Sequence, residues 1–304
     1  MTIWNTPLSR HKKHDKVKKL IAFCGNRMRT KFMAFCKRQI AGKNSQPFVK
    51  NRKENGSMSM VNKVPGTIGM AEELQNAASH YGENKKITDG DYDKSLAVKC
   101  VNGTFVGTKT DDVVSYKGIP YVGQQPVGEN RFKKPVPFDA DEGVYEAYHF
   151  AKGCLQPISA DDAGSLAVLG EDSLYLNIWK NTADTSEKKP VMVWIHGGGF
   201  TQGSTINPLY DGFNFVRDNG DVILVSIAYR LGGLGFLHLS HLPDGADYPD
   251  AQNLGILDQV MALRWVHENI AAFGGDPDNV TIFGESAGGC SVTLLPLIPE
   301  ARSY

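Results

Sequence analysis

The sequence predicts an α/β fold for the chain from about residue 95 onward, and three observations support this prediction. Apolar runs at 191–195 and 222–228 are continuous rather than alternating, which is typical of parallel strands covered on both faces. A long segment with helical apolar periodicity covers 253–273. A further apolar run at 280–283 is followed by a glycine-rich turn and a helix that begins at Ala287. Such alternation of strands and helices is typical of the α/β class.

Shorter segments precede these elements. Apolar runs at 96–98 and 104–106 flank an Asn-Gly pair at 102–103, which favours a hairpin turn. Glycine and proline recur across 118–135 and predict an ordered loop, because both residues interrupt regular structure. Another apolar run, at 174–179, predicts a strand.

The helix predicted at 253–273 carries its apolar residues three or four positions apart, as one buried face requires. These residues are Leu254, Leu257, Met261 and Trp265. A Gly-Gly pair at 274–275 ends the segment, since glycine readily adopts the left-handed conformation found after many helices.

Composition excludes several protein classes. Of the 304 residues, 41% are apolar and 22% are charged, which is ordinary for a globular protein and too apolar for a mostly disordered one. No run approaches the ~18 consecutive apolar residues of a membrane helix, so we expect no transmembrane segment. The length allows two domains or one large α/β domain.

Charge divides the chain into regions. Residues 1–66 contain 16 Lys and Arg against 2 Asp and Glu, a net charge of +14. Residues 67–304 contain the other 17 basic and 31 acidic residues, a net charge of −14. We therefore predict a largely disordered basic head at 1–66, a polar linker at 67–94 and a globular region at 95–304.

The basic head is open to several interpretations. Its longest apolar run, at 20–24, is shorter than the about 7–15 residues of a signal-peptide core, so we expect a cytoplasmic protein. The composition also suits a mitochondrial transit peptide, or a segment that binds nucleic acid or an anionic surface. A solvated tail, or sequence upstream of a true start at Met58, Met60 or Met70, is the simplest interpretation.

The cysteines give no sign of a metal or redox site. They are Cys24, Cys36, Cys100, Cys154 and Cys290. Their spacings match no zinc-binding or Cys-x-x-Cys motif, and without an export signal we expect reduced thiols.

A candidate catalytic residue lies in Gly284-Glu285-Ser286-Ala287-Gly288, which follows a strand and opens a helix. In this context G-x-S-x-G forms a sharp turn that presents the serine hydroxyl above the strand end. Glycine is needed on both sides because the chain segments approach each other closely. The helix N-terminus favours a developing negative charge. A glycine-rich connection with an incidental serine is the alternative.

A second glycine-rich segment, His-Gly-Gly-Gly-Phe at 196–200, directly follows the strand predicted at 191–195. Its backbone N–H groups are unshielded by side chains, so they can bind a substrate carbonyl oxygen in an oxyanion hole that the N–H of Ala287 completes. A phosphate-binding loop is the rival interpretation, but the segment lacks the G-x-G-x-x-G spacing and the lysine of a P-loop. The two motifs together predict acyl transfer.

These motifs resemble those of the type-B carboxylesterase family, which includes cholinesterases and bacterial para-nitrobenzyl esterases and has the α/β-hydrolase fold. The resemblance covers roughly 96–304. Beyond the two glycine motifs it rests on four segments, at 118–121, 131–132, 171–179, and 229–230 with 235–237.

The resemblance implies a role for each site residue. Ser286 is expected to be the nucleophile, Gly198, Gly199 and Ala287 the oxyanion-hole donors, and Glu285 the family's acidic residue beside the nucleophile. The implied substrate is a small-molecule carboxylic ester. Neither a metal nor an organic cofactor is required.

The resemblance also implies two structural ion pairs, Arg131 with Glu171 and Arg230 with Asp258.

Two departures from the family affect the expected chemistry. Many secreted members pair a cysteine at the position of Ser173 with one at the position of Cys154, and this bridge cannot form here. Cholinesterases carry between those positions a tryptophan that binds quaternary ammonium, and no tryptophan lies between Cys154 and Trp179. We therefore do not expect choline ester specificity.

A third departure concerns the general base. A serine hydroxyl needs a base oriented by a carboxylate, and in this fold the order along the chain is serine, acid, histidine. Only 18 residues follow Ser286, and none is histidine. We expect a chain truncated before the triad acid and histidine, with 280–283 as an unprotected edge strand.

The sequence therefore predicts a serine carboxylesterase that acts through an acyl-enzyme. The alternatives are a catalytically inactive fragment, or a non-catalytic protein of this fold whose basic head binds nucleic acid or an anionic surface.

We predict that the 304-residue chain, expressed alone, is poorly soluble and does not hydrolyse para-nitrophenyl acetate, because it offers Ser286 no general base. Release of para-nitrophenolate measures this directly. Turnover that is lost in Ser286→Ala would contradict the prediction.

Overall fold

The computed structural model describes residues 82–157, 168–182 and 187–304. The basic head predicted at 1–66, most of the linker, and two of the five cysteines lie outside the described residues. No helix in the described ranges is both long enough and apolar enough to cross a membrane.

Strands and helices alternate along the described chain. The strands are β1 (Lys86–Ile87), β2 (Ala97–Cys100), β3 (Asn102–Val106), β4 (Thr108–Thr110), β5 (Val113–Pro120), β6 (Asp141–Glu146), β7 (Gly153–Cys154), β8 (Leu169–Gly170), β9 (Tyr175–Asn181), β10 (Lys189–Ile195), β11 (Ile223–Ile227) and β12 (Gly275–Gly284). The α-helices are α1 (Phe213–Asp218), α2 (Gly232–Phe236), α3 (Leu254–Asn269) and α4 (Ala287–Leu294). Short 3₁₀ segments are Lys94–Leu96, Gly128–Asn130, Pro208–Tyr210, Gly245–Asp247, Ala251–Asn253, Ile270–Phe273, Leu295–Leu297 and Glu300–Ser303.

The main sheet has six strands in the order β12-β10-β11-β9-β5-β4. Strand β10 pairs in parallel with both β11 and β12, whereas β9 runs antiparallel to β11 and β5. In the described residues β12 is therefore an edge strand, as the sequence predicted. The carboxyl ends of β10 and β12 coincide, because Ile195 pairs with Gly284.

Both faces of the parallel strands are buried, which explains their continuous apolar runs. Along β10 and β11, alternate side chains such as Val193 and Val225 join a core cluster that includes α3, whereas Met192 and Leu224 join a second cluster that includes α1. Helices α1 and α3 thus cover opposite faces of the sheet.

The helix and the smaller sheet agree closely with the predicted segments. Helix α3 ends at Asn269, and Ile270–Phe273 continues it as a 3₁₀ segment to Gly274, whose φ of 87° places it in the left-handed region. The hairpin predicted around 102–103 is present, since β2 pairs antiparallel with β3. Both strands belong to a four-stranded sheet of order β1-β6-β3-β2.

The loop predicted to begin at residue 118 is wrong at its start. Strand β5 continues through Gly118 to Pro120, with an irregular register between Tyr116 and Ile119. Gly118 has a φ of 70°, and its N–H donates to the side chain of Asn177 at 2.9 Å. A strand tolerates glycine and proline at such a bulge near its end, so their presence did not mark a loop.

A buried ion pair joins the segment after β11 to α3. The Arg230 guanidinium, 1% exposed, contacts the Asp258 carboxylate, 0% exposed, with Nη2 to Oδ1 at 2.6 Å and Nε to Oδ2 at 2.8 Å. Its Nη1 donates to the carbonyl oxygens of Arg131 and Lys133 at 3.1 and 2.8 Å. One guanidinium therefore fixes the chain at 131–133 against the sheet and α3.

We predict that Asp258→Ala lowers the free energy of unfolding by about 3–5 kcal/mol, because it leaves the buried guanidinium of Arg230 without its counter-ion. Urea denaturation followed by circular dichroism measures the change. Glu268→Ala, which removes the half-exposed Arg264–Glu268 pair of the same helix, is the matched control and should cost under about 1 kcal/mol. Equal losses in the two variants would contradict the prediction.

Candidate active site

Ser286 lies on a sharp turn between the end of β12 and the start of α4. Its φ of 50° and ψ of −115° are strained for a residue with a side chain. The side chain is exposed, and its hydroxyl makes no hydrogen bond to any described residue. The Ser286 carbonyl oxygen accepts the first bond of α4, from the N–H of Cys290 at 3.0 Å.

The glycines of this turn are required by close approach of the backbone. A Cβ added to Gly284 would lie 2.6 Å from the carbonyl carbon of Gly288. A Cβ added to Gly288 would collide with the carbonyl oxygen of Ile195 and lie 2.9 Å from that of His196. The first turn of α4 therefore packs directly on the end of β10, which brings Ser286 to the glycine-rich segment.

The loop after β10 runs alongside the serine. A Cβ on Gly197 would lie 3.2 Å from Ser286 Cβ and would collide with the carboxylate of Glu285. Gly198 and Gly199 have φ values of 106° and 64°. The structure thus places the start of this loop, at Gly197, directly against Glu285 and Ser286.

The backbone donors that the sequence assigned to an oxyanion hole have no acceptor among the described residues. They are the N–H groups of Gly198, Gly199 and Ala287, whereas the neighbouring N–H of Gly288 donates to the Glu285 carbonyl oxygen at 2.8 Å. Gly199 is exposed and Gly198 is half-buried. Unpaired amides beside an exposed hydroxyl are suited to bind an oxygen that gains negative charge.

His196 stabilises the start of the loop through its ring and its backbone carbonyl group. Its ring stacks on Tyr229 with centroids 4.5 Å apart, and Nδ1 donates to the Gly197 carbonyl oxygen at 2.9 Å. The Tyr229 hydroxyl donates to the carbonyl oxygen of His196 at 2.8 Å. Burial lowers the pKa of His196 to about 4, and the bond to Gly197 only partly opposes this. His196 is therefore a neutral structural residue, and no described histidine ring contacts the Ser286 hydroxyl.

The exposed pair implied by the resemblance is present as well. Arg131 Nε lies 2.6 Å from Glu171 Oε1, so this contact joins the segment after β5 to the residues before β9.

A cavity of about 550 Å³ lies elsewhere in the described residues. It is lined by the small sheet and neighbouring loops, including Phe105, Asp141, Tyr145 and Tyr175. None of the five site residues lines it, so this cavity is separate from the candidate site. The described residues contain no group of three or more histidine, cysteine or acidic side chains arranged to hold a metal ion.

Comparison with known proteins identifies the family. The sequence model of a protein family, described as "Carboxylesterase family", matches residues 94–304. The chain belongs to the carboxylesterase family.

Individual carboxylesterases agree with this assignment. The chain is 48% identical over 206 residues to the para-nitrobenzyl esterase of Bacillus subtilis, covering 66% of this chain and 40% of the relative. It is 40% identical over 225 residues to a cholinesterase of Mus musculus, covering 71% and 36%. The crystal structure of carboxylesterase EST55 from Geobacillus stearothermophilus superposes with a TM-score of 0.60 at 51% identity, covering 68% of this chain and 41% of that chain.

These comparisons confirm the predicted family and its α/β-hydrolase fold. The chain spans about two fifths of the length of the curated relatives it matches. The roles of the individual site residues stay predictions.

Sequence reasoning missed two side chains that support the loop. Tyr229 lies in one of the segments shared with the family, and its hydroxyl joins the segment after β11 to the loop after β10 through the His196 carbonyl oxygen. Gln156 was not singled out, although its amide contacts the far end of the same loop. Neither contact leaves a local pattern in the sequence, because both join distant residues.

We predict that His196 makes the protein less stable as the pH falls. Unfolded histidine binds a proton below about pH 6.5, whereas buried His196 stays neutral down to about pH 4, so the free energy of unfolding falls through this window. Between about pH 7 and pH 5 the loss due to this group is about 2 kcal/mol.

Urea denaturation across this range measures the slope. His196→Asn is the matched control, since its side-chain amide can still donate to Gly197 but does not titrate. A variant with the same pH slope as the wild type would contradict the assignment of the slope to His196.

Proposed function

We propose that this chain carries the nucleophile and oxyanion hole of a carboxylic ester hydrolase. Ser286 is the nucleophile, and the N–H groups of Gly198, Gly199 and Ala287 bind the developing oxyanion. The observation that carries the proposal is the exposed Ser286 on a turn that contacts the loop after β10 at Gly197. In this loop the N–H groups of Gly198 and Gly199, like that of Ala287 after the serine, have no acceptor among the described residues.

The reaction follows from this arrangement. Ser286 Oγ attacks the ester carbonyl carbon, and the proton of the Ser286 hydroxyl passes to a base. The carbonyl π electrons move to the carbonyl oxygen. The three N–H groups stabilise the resulting oxyanion, and loss of one such donor typically costs about 10²–10³ in rate. The tetrahedral intermediate breaks its bond to the ester oxygen, which takes the proton back from the base and leaves as the alcohol, and an acyl-serine remains. Water then attacks the acyl carbon, releases the carboxylic acid and restores the hydroxyl.

Electrostatics at the turn favour this role. The N-terminus of α4 points at the region of the oxyanion, and its aligned backbone dipoles favour negative charge there. The exposed carboxylate of Glu285 lies against Gly197 at the edge of the site. This negative charge favours the protonated form of a base that has taken the serine proton.

The general base is the component that no described residue supplies. We propose that a histidine and an acid outside the described residues complete the triad, as the greater length of the relatives allows. The substrate is a small-molecule carboxylic ester. Choline esters are disfavoured, since no tryptophan lies between Cys154 and Trp179 to bind a quaternary ammonium.

The proposed binding of nucleic acid or an anionic surface concerns residues 1–66, which lie outside the described residues. Nothing in the described part of the chain favours that alternative.

We predict that added imidazole restores esterase activity to the 304-residue chain. An external base can accept the serine proton when the chain does not supply one, so release of para-nitrophenolate from para-nitrophenyl acetate should rise with imidazole concentration. Mass spectrometry should show an acetyl group on the peptide that contains Ser286.

Ser286→Ala is the control, because imidazole itself hydrolyses activated esters. The imidazole-dependent rate of the wild type should exceed that of Ser286→Ala at least about tenfold, which is less than the about 10²–10⁴ that a positioned general base contributes. Identical rates with no acetylated serine would overturn the proposed function and favour the non-catalytic alternative.

A further inference from the structure

The side-chain amide of Gln156 makes a double hydrogen bond to one residue of the candidate oxyanion loop. Its Oε1 accepts from the N–H of Gly203 at 2.6 Å, and its Nε2 donates to the Gly203 carbonyl oxygen at 2.9 Å. The same Nε2 donates to the carbonyl oxygen of Cys154 at 2.9 Å. The two backbone groups of Gly203 thus both bond to a side chain 47 residues earlier in the sequence.

Gly203 closes the loop that begins at His196. Its φ of 115° favours glycine, and an added Cβ would lie 2.6 Å from His196 Nδ1. Within the loop the Gly198 carbonyl oxygen accepts from the N–H groups of Thr201 and Gln202 at 3.1 and 3.0 Å. The peptide groups of Gly198 and Gly199 therefore lie between two anchors, His196 at one end and Gly203 at the other.

Gln156 itself projects from an ordered segment. Strand β7 pairs in parallel with β8, and a Cβ on Gly153 would lie 3.1 Å from Ser204 Oγ. The Cys154 sulfur accepts from the N–H of Leu231 at 3.3 Å. These contacts hold the segment that carries Gln156 close to the loop, independently of the hydrogen bonds that the Gln156 amide itself makes.

We propose that Gln156 is a positioning residue for ester hydrolysis, which sets the conformation of the 197–203 loop and so aims the Gly198 and Gly199 N–H groups at the oxyanion. This inference rests on the proposed function. Oxyanion stabilisation depends on donors fixed in advance at hydrogen-bond distance, and a displacement of about 1 Å can cost about 10² in rate. Ground-state binding of the ester depends much less on these donors.

The chain offers a matched control in Gln125. This side chain makes the same double bond to the backbone of Leu174, with Oε1 accepting at 3.0 Å and Nε2 donating at 3.2 Å. Leu174 lies directly before β9, and its backbone makes no hydrogen bond to residues 196–203. Gln125→Met removes two hydrogen bonds to the backbone and Gln156→Met removes three, and both keep the side-chain length. The comparison separates a local role at the loop from general stabilisation of the fold.

The test compares hydrogen exchange and catalysis in the full 304-residue chain. Hydrogen exchange is measured at the backbone amides of Thr201 and Gln202, which donate to the Gly198 carbonyl oxygen and not to Gln156. Gln156→Met should accelerate their exchange at least about tenfold, because the loop opens locally, whereas Gln125→Met should leave it unchanged. With imidazole as the base, kcat for para-nitrophenyl acetate should fall about 10–100-fold in Gln156→Met with KM changed less than about threefold. Gln125→Met should change neither constant.

Each result decides the inference. Faster exchange at the Thr201 and Gln202 amides of Gln156→Met, together with a lower kcat and little change in KM, supports the inference. Unchanged exchange at Thr201 and Gln202, or faster exchange with unchanged kcat, overturns it. If the wild type shows no Ser286-dependent reaction, the proposed function fails and with it the catalytic role of Gln156, whereas the exchange data still decide whether Gln156 orders the loop.

A second variant covers the case in which Gln156→Met does not fold. Gln156→Glu keeps the acceptor for Gly203 but places an oxygen against the two carbonyl oxygens that Nε2 now contacts. Protonation of the carboxylate restores one donor, so the Thr201 and Gln202 amides should regain protection as the pH falls. Protection equal to the wild type at neutral pH would overturn the inference.

Discussion

The site depends on one close approach, that of the first turn of α4 to the end of β10. Gly288 lies so near the carbonyl oxygens of Ile195 and His196 that any side chain at this position would separate the two elements. The parallel pairing of Ile195 with Gly284 sets the same alignment from within the sheet. Because strand pairing and glycine contact agree, Ser286 emerges beside the loop that begins at His196.

Contacts outside the sheet position the segments that surround the candidate site. Arg230 and Asp258 form a pair that is almost fully buried, and the remaining donors of Arg230 bind carbonyl oxygens about 100 positions earlier in the chain. Tyr229, the preceding residue, bonds to the His196 carbonyl oxygen. Consecutive residues after β11 thus connect to α3, to the 131–133 segment and to the candidate oxyanion loop. Buried polar groups of this kind are costly unless every partner is in place, so they favour one arrangement of these segments.

The sequence predicted those parts of the fold that have a local signal. Continuous apolar runs identified the parallel strands, and glycine spacing around Ser286 identified the turn, because backbone sterics demand glycine there. The continuation of β5 through Gly118 was missed, since glycine and proline disfavour strands in general and only the bulge beside Asn177 accommodates them. Gln156 could not be found, because an amide that bonds to a backbone 47 residues away has no repeating pattern or fixed spacing.

The backbone of Ser286 has a consequence for how this position evolves. Its φ of 50° costs about 1–3 kcal/mol in a residue with a Cβ, and glycine at the same place would remove most of that cost. Under the proposed mechanism, substitution by glycine would therefore give a more stable molecule that lacks its nucleophile. Selection for stability would favour glycine at this position, whereas selection for the proposed chemistry would favour serine.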